Sequence, residues 1–334
     1  MAGIQPCSLI KVARAAGVAA STASLALRGS PRVLPETVAR VKAAAERLGY
    51  SADPRVGSLM ARIRMAKEIN ERERLAFVWL NASKADRLRD RFCQASFGCA
   101  KARAEELGWR VEEFWLHDEG MTASRLDEIL MTRGITGVVF SSPLKAIVAR
   151  VDWNWSHFTS AVIGNSEFYP PMHRAGHHHY RNMWLAMEKL REAGCVRPAA
   201  VLFGSHHRRM QGVHQAAFVA NHPFPRQALT LARFGLPESR KETVAWLEKT
   251  RADGLVFGMN PSVDALAWLR TLPRIKSMVT LDRPEPGLPG INTQDGRIAR
   301  NAVDLVIAQL HRNERGVPAN PLSVLLDGEW EDYG

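Results

Sequence analysis

From residue 75 onward, short β-rich runs alternate with amphipathic helical stretches, and this alternation constrains the architecture more than any other feature. LAFVWL (residues 75–80) reads as a buried strand, 91–107 as a helix stopped by Gly108, and WRVEEFWL (109–116) as a second strand. A helix over 123–131 and strands GVVF (137–140) and SAVIG (160–164) follow. The cycle then restarts with a helix over 183–193, strand PAAVLFG (198–204), a helix over 210–220 and strand GLVFG (254–258). A helix over 262–272 and strand SMVTL (277–281) complete it. Such alternation produces parallel sheets with helices on both faces. Two successive sets predict two lobes, each a doubly wound sheet, with ligand at the carboxyl ends of the strands between them.

The first fifty residues have a different texture. Ser8 is a good N-cap for a helix over 9–16, and Gly17 supplies a tight turn. A second short helix is expected at about 20–28, stopped by Gly29-Ser30-Pro31. A third opens with Pro35 and runs to Leu48, with Gly49 at its end and Val38, Val41, Ala45 and Leu48 on its core face. Two short helices joined by a glycine turn and braced by a third make a helix-turn-helix. Charge is concentrated here: residues 1–67 hold eleven Lys/Arg against three acids, +8 of the chain's net +11. Counterion release from a phosphate backbone rewards such an excess, although a merely solubilising basic face has the same composition. Next, Asp53 can cap a helix beginning at Pro54 and continuing through Val56, Leu59, Met60 and Ile63. The charge-dense KEINERER run (67–74) reads as a linker.

At 334 residues the chain accommodates a small domain plus a larger one, and its 46% apolar and 24% charged content is that of a globular protein. No apolar run approaches a bilayer span, and Gln5, Ser8 and Lys11 interrupt any signal-peptide core. Cys7, Cys93, Cys99 and Cys195 show no CxxC spacing and read as reduced thiols, so a cytoplasmic location is expected.

The run SLIKVARAAGVAASTASLALRGSPRVLPETVARVKAAAERLGY (8–50) resembles the DNA-binding headpiece of the LacI/GalR regulator family. Matching features are Val12-Ala13, the Ala16-Gly17-Val18 turn, the Thr22 and Ser24 pair, the RVxPET opening of the third helix and the closing LGY. The resemblance implies that the second helix reads DNA. The implied interface is Ser8, Lys11, Ala20, Ser21, Thr22, Ser24, Leu25, Arg28 and Arg55, with Leu59 as a minor-groove wedge of a hinge helix. Three departures stand out. Ala19 and Leu34 occupy positions where the family has a capping Ser, Leu25 stands where many members carry Arg, and Ala52 replaces a proline. Leucine cannot donate to guanine, so base reading here leans on methyl contacts and shape.

Taken with its texture, the chain is expected to be α/β: an all-α helix-turn-helix headpiece (1–52), a hinge helix and linker (53–74), and a two-lobed, periplasmic-binding-protein-like core (75–334). Lobe one is expected at about 75–170 and 297–330, and lobe two at about 173–294. The resemblance implies crossings near 169–176 and 293–297, with the C-terminal segment returning to lobe one. It also implies a homodimer on a double-stranded operator, tuned by a small effector such as a carbohydrate, with no cofactor and no membrane partner. Carried over residue by residue, the effector contacts are Arg209 in RRMQG, Asp282 in TLD, Asn260 in Asn260-Pro261 and Gln294 in Gln294-Asp295. Asn81 and Ser83, just past the first strand, join them. An arginine there suits carboxylate, phosphate or vicinal hydroxyls.

Other patterns point elsewhere and are weaker. His173, His177, His178, His179, His206, His207 and His214 suggest zinc, but no HxxxH helix or CxxC accompanies them, so solvent-facing or pocket-lining imidazoles are expected. Cys93 and Cys99 fall on different helix faces, and alternation around Trp153 and Trp155 suggests an edge strand. No GxGxxG, Walker loop or GxSxG occurs, and no nucleophile–base set supports an enzyme. A two-lobed solute-binding protein and an effector-independent DNA-binding regulator are the competing functional classes.

Overall fold

A computed structural model describes residues 9–27, 33–48, 50, 73–144, 148–236 and 239–332, without the side chains of Ser21 and Ser24. The chain forms two compact units, Met1–Glu71 and Arg72–Gly334.

The small unit contains α1 (Leu9–Ala15), α2 (Ala20–Leu27) and α3 (Pro35–Arg47). Gly17, with φ +65°, makes the turn between the first two, a conformation that costs a residue with a Cβ. The core is built from small side chains: Val12, Ala13, Ala16, Ala23, Ala26, Val41, Ala44 and Ala45, with Leu9, Val18, Leu27, Val33, Val38 and Tyr50 packed around them. Alanine at six of these positions lets three short helices approach closely, which suits a module this small. Leu48, expected in this core, is instead exposed at the C-cap, and Ala44 takes the inward position. The α3 periodicity extended one turn past the last residue that packing uses.

In the large unit the first sheet is all parallel. Its strands are β1 (Arg74–Trp79), β2 (Arg110–Trp115), β3 (Gly137–Phe140), β5 (Thr159–Ile163), β7 (His173–His177) and β13 (Ser323–Leu326), in the order β13-β7-β5-β3-β1-β2. A short parallel pair, β4 (Val148–Arg150) and β6 (Glu167–Tyr169), stands apart. The second sheet holds β8 (Pro198–Leu202), β9 (Ala232–Phe234), β10 (Gly254–Phe257), β11 (Ser277–Thr280), β12 (Gly290–Asn292) and β14 (Glu329–Glu331), in the order β14-β12-β11-β10-β8-β9. Only its edge strand β14 runs antiparallel.

Helices α4 (Lys84–Arg89), α5 (Arg91–Glu106), α6 (Ala123–Thr132) and α13 (Asp295–Arg312) dress the first sheet. The second carries α7 (His179–Glu192), α8 (Gly204–Arg209), α9 (Val213–Asn221), α10 (Pro225–Leu231), α11 (Arg240–Thr250) and α12 (Val263–Leu269). The α13 stripe of Ile298, Ala299, Ala302, Val303, Val306 and Ile307 packs with α5 and the first sheet, and Asn313 ends the helix in the left-handed region. The second sheet has a separate core of Leu190, Phe218, Leu255, Phe257, Leu269 and Ile291 with their neighbours.

Three local expectations change. Trp153 and Trp155 lie on no edge strand: Trp155 opens a 3-10 turn (Trp155–His157), and both rings join Phe140, Phe158 and Phe168 in an aromatic cluster. Burying the rings together outweighed the apparent alternation. Helix α7 begins at His179 rather than 183, and the short α8 precedes α9. Cys93, Cys99 and Cys195 are unpaired, and burial, aided by Asp90, pushes the Cys93 thiol up to about 12. Among the described residues no helix is long and apolar enough to cross a membrane.

Among the described residues the chain passes between the sheets three times. Strand β7 belongs to the first sheet and α7 packs on the second, so the first crossing is at His178, later than the expected stretch. The second is at Thr293–Gln294, as β12 gives way to α13. After β13 the chain crosses again at Asp327–Gly328, and β14 ends it in lobe two, not in lobe one. Backbone pairing with β12 decides that placement, and WEDY-like termini carry no signal for it.

Candidate DNA interface and ligand cleft

Within the small unit, α2 presents one exposed face. Ala23 and Ala26 are fully buried and fix its rotation, which leaves Ala20 exposed and Leu25 36% exposed on the outer side. Thr22 is half-buried, and Lys11 is exposed on α1. Helix α3 starts with Leu34 at its N-cap, 71% exposed and making no side-chain cap. Ser8, Arg28, Arg55 and Leu59 lie outside the described residues, as do the side chains of Ser21 and Ser24.

In the large unit, both sheets direct the carboxyl ends of their strands at the crossings. The three crossings are tied to one another by side chains. His177 Nε2 lies 3.3 Å from Asp295 Oδ1, linking the first crossing to the second. His178 Nδ1 meets Asp327 Oδ1 at 2.7 Å, linking the first to the third, and Arg297 pairs with Glu329 at 3.1 Å, linking the second to the third. Burial disfavours an ionised Asp295, but His177, Thr293 and Arg283 outweigh it, and its pKa falls below the ordinary carboxylate value.

Among the described residues, two further hydrogen bonds span the lobes away from the crossings. Arg209, the last residue of α8, donates through one terminal nitrogen to the Leu144 carbonyl at 2.9 Å, just beyond β3. Gln211 Nε2 donates to Glu167 Oε1 on β6 at 2.7 Å. Beside Arg209 sits a group of imidazoles that are neither solvent-facing nor arranged for metal. His179 Nδ1 and His214 Nε2 are 3.1 Å apart, and the His206 ring centroid is 5.2 Å from that of His214 and 5.8 Å from that of His179. Burial, then neighbouring charge, lowers their pKa values: His214 to about 3, His206 to about 4, and His179 well below the ordinary value. They are neutral hydrogen-bonding groups at neutral pH. Among the described residues no set of three or more His, Cys, Asp or Glu side chains is placed to hold a metal ion. A groove of about 410 Å³ at the carboxyl end of the second sheet, lined by Phe203, Leu236, Arg240, Met259 and Trp268 among others, supplies apolar wall.

Residues 8–53 match the profile of the bacterial regulatory proteins, lacI family. The fold of the whole chain agrees with that of solved lacI-type regulators. The lac repressor dimer bound to operator and the anti-inducer ONPF superposes with a TM-score of 0.53 at 18% identity, covering 98% of both chains. The CelR–cellobiose complex gives 0.51 at 17% identity, again with 98% of both chains. CcpA of Lactococcus lactis gives 0.50 at 15% identity, covering 78% of this chain and 98% of that one. No curated protein sequence matches the chain. The lacI-type α/β architecture, a helix-turn-helix headpiece followed by a periplasmic-binding-protein-like core, accounts for both units.

The cleft residues expected from the sequence divide. Arg209 spans the cleft, and Asp282 is partly buried just past β11, where burial raises its carboxyl pKa and the N–H groups of Arg283 and Asn260 oppose the rise. Asn81 lines a second groove at the end of β1, and its Oδ1 is buried without a partner. Other expected contacts are occupied in the protein. Ser83 caps α4 in a reciprocal box with Asp86. Asn260 donates to the Arg283 carbonyl at 2.8 Å and accepts from Thr280 at 2.6 Å, so its amide shapes the 280–283 loop. Gln294, at φ +49°, occupies the cap of α13 and accepts from Arg297. Sequence reasoning overlooked Gln211, Glu167, Asp295 and Asp327, whose partners are far away in the chain.

Proposed function

We propose that the protein is a homodimeric, sequence-specific transcriptional repressor whose operator affinity is set by a small effector bound between the lobes of its core. One observation carries the reading: in a segment bearing +8, the α2 face opposite Ala23 and Ala26 presents Ala20 and Leu25 outward. In this reading Ala20, Ser21 and Leu25 meet base edges, Thr22 and Ser24 meet phosphates or bases, and Ser8, Lys11, Arg28 and Arg55 anchor the backbone. Leu59 wedges into a central minor-groove step and bends the duplex.

The effector pocket in this reading takes Arg209 and Asp282 as its polar contacts, with Asn81 from lobe one. Ser83, Asn260 and Gln294 shape the walls that hold them. The operator-bound lac repressor and the cellobiose-bound CelR motivate this assignment, because they share the fold. Regulation is linkage: an effector that prefers one lobe arrangement shifts the population of DNA-competent dimers by its differential affinity. The two-fold dimer implies a pseudo-palindromic operator with half-sites about one helical turn apart.

Selection of bound sequences from random duplex DNA, with and without a metabolite pool, tests this. An enriched palindrome whose recovery changes with metabolites is expected. A protein that retains no double-stranded probe at low ionic strength overturns the reading, and an enriched palindrome indifferent to every metabolite removes the effector from it.

A further inference from the structure

Helix α7 begins one residue past the first crossing and packs against α9, and their seam carries buried imidazoles at the end next to that crossing. His179 of α7 and His214 of α9 are buried, with ring centroids 4.6 Å apart. His206 of α8 is half-buried and lies against both. The 3.1 Å contact of His179 Nδ1 with His214 Nε2 is a hydrogen bond only while one nitrogen donates and the other accepts. One added proton can be shared across it. A second leaves two N–H groups facing each other, which this packing cannot hold. The surroundings oppose charge as well. His179 is faced by His177 from β7 and by His178 at the crossing, His206 by His177 and by Arg209 of its own helix, and His214 by His177 and by His207 of α8. Asp295 and Asp327 are engaged by His177 and His178.

We propose that His179, His206 and His214 form a proton-operated switch in lobe two. Neutral imidazoles lock α7 to α9 beside the first crossing, and acid charges imidazoles that the closed seam cannot hold charged, so the seam opens. Helix α8 and the turn after it lead directly into α9 and reach lobe one through Arg209 and Gln211. Opening the seam therefore loosens the segment that ties the lobes together. The switch itself stands on the seam, and its effect on operator binding rests on the regulator reading above.

The open state sets the sign and the steepness. A solvated imidazole titrates at its ordinary value of 6.5, whereas the closed seam holds His206 down to about 4, His214 to about 3 and His179 well below 6.5. Closure is unpenalised above the ordinary value and loses ground as pH falls below it. Between pH 7.5 and 5.5 each imidazole shifts the balance about tenfold toward opening, which is about a thousandfold for three. The response lies above the closed-state values because protons are taken up by the opened seam.

Hydrogen exchange of the full chain, followed by mass spectrometry from pH 7.5 to 5.5 and corrected for the intrinsic exchange rate, tests the switch. Protection of α7 and α9 is expected to fall by up to about a thousandfold, with a slope approaching three protons, while α5 and α6 in lobe one keep theirs. His206→Gln, at a half-buried position, is expected to remove one proton from that slope, about tenfold of the change. Protection of α7 and α9 that stays flat over this range, or falls in step with α5 and α6, overturns the switch. A His206→Gln slope equal to wild type overturns it too. Duplex retention is measured on the same preparations. His117 is the first histidine of the chain, so no imidazole of the headpiece contributes to the pH dependence of retention. Retention is expected to change over the same range, more shallowly in His206→Gln. Intact retention beside an indifferent seam condemns the switch alone, whereas a seam that opens in a protein ignoring every duplex condemns the regulator reading instead.

Discussion

Single side chains decide how firmly the crossings are held, and Asp295 is the most connected of them. It accepts from His177, Thr293 and Arg283 while mostly buried. Asp295→Asn keeps the shape and removes the charge, and should cost about 1–2 kcal/mol of core stability in denaturant unfolding at neutral pH. The sign with pH is set by the depressed pKa. A carboxyl lowered in the folded state stabilises in full above its ordinary value of 3.8 and loses that contribution as pH falls through the folded value. Wild type and Asp295→Asn should therefore converge in stability in strong acid and separate above about pH 4–5. A second carboxylate does comparable work in lobe two. Burial opposes ionisation of Asp253, but it accepts from the Val196 and Arg197 N–H groups at 2.8 and 2.7 Å and from Lys276, and its pKa is lowered. Asp253→Ala strands two part-buried backbone donors and should cost about 2–3 kcal/mol, read as a fall in the core's unfolding midpoint.

Elements show where local sequence suffices and where it does not. Helix α3 starts without a side-chain cap because Leu34 sits at the N-cap in an extended conformation, φ −59° and ψ 141°. Leu34→Ser should therefore raise headpiece stability by about 1 kcal/mol, seen as a higher melting temperature of its helical signal; no gain would mean that the exposed leucine contributes packing elsewhere. Strands β1, β3 and β10 were legible because, past the exposed Arg74, their runs are apolar and buried on both faces. By contrast, HRAGH gives no hint of β7. Its strand character comes from sitting between β5 and β13, and Gly176 fits there because a Cβ would strike the Asn165 amide. The cleft follows the same division. Asp282 stands just past a strand end that the alternation located, and Arg209 ends the short helix that follows β8, whereas the His177–Asp295 and His178–Asp327 ties join residues more than a hundred positions apart. Periodicity reports a residue's own element, and the three-crossing topology supplies its partner.

At the scale of the whole molecule, charge is distributed as unevenly as function. The first 67 residues hold +8 and the remaining 267 only +3. A phosphate-binding surface localised in this way makes operator affinity fall steeply with salt, with a slope that counts the phosphates neutralised. Two substitutions then separate anchoring from reading. Lys11→Ala should weaken binding to all duplexes alike and lower the log–log salt slope by about 1. Ser21→Asn leaves the charge unchanged, so it should change which half-site is preferred while the salt slope stays put. Leu25→Arg adds a donor that can pair with guanine O6 and N7 and should shift preference toward guanine by about 1–3 kcal/mol, in retention assays with half-sites varied one base at a time. If Leu25→Arg instead tightened every duplex equally, the α2 face would be contacting backbone, and the reading helix would have to be sought elsewhere in the headpiece.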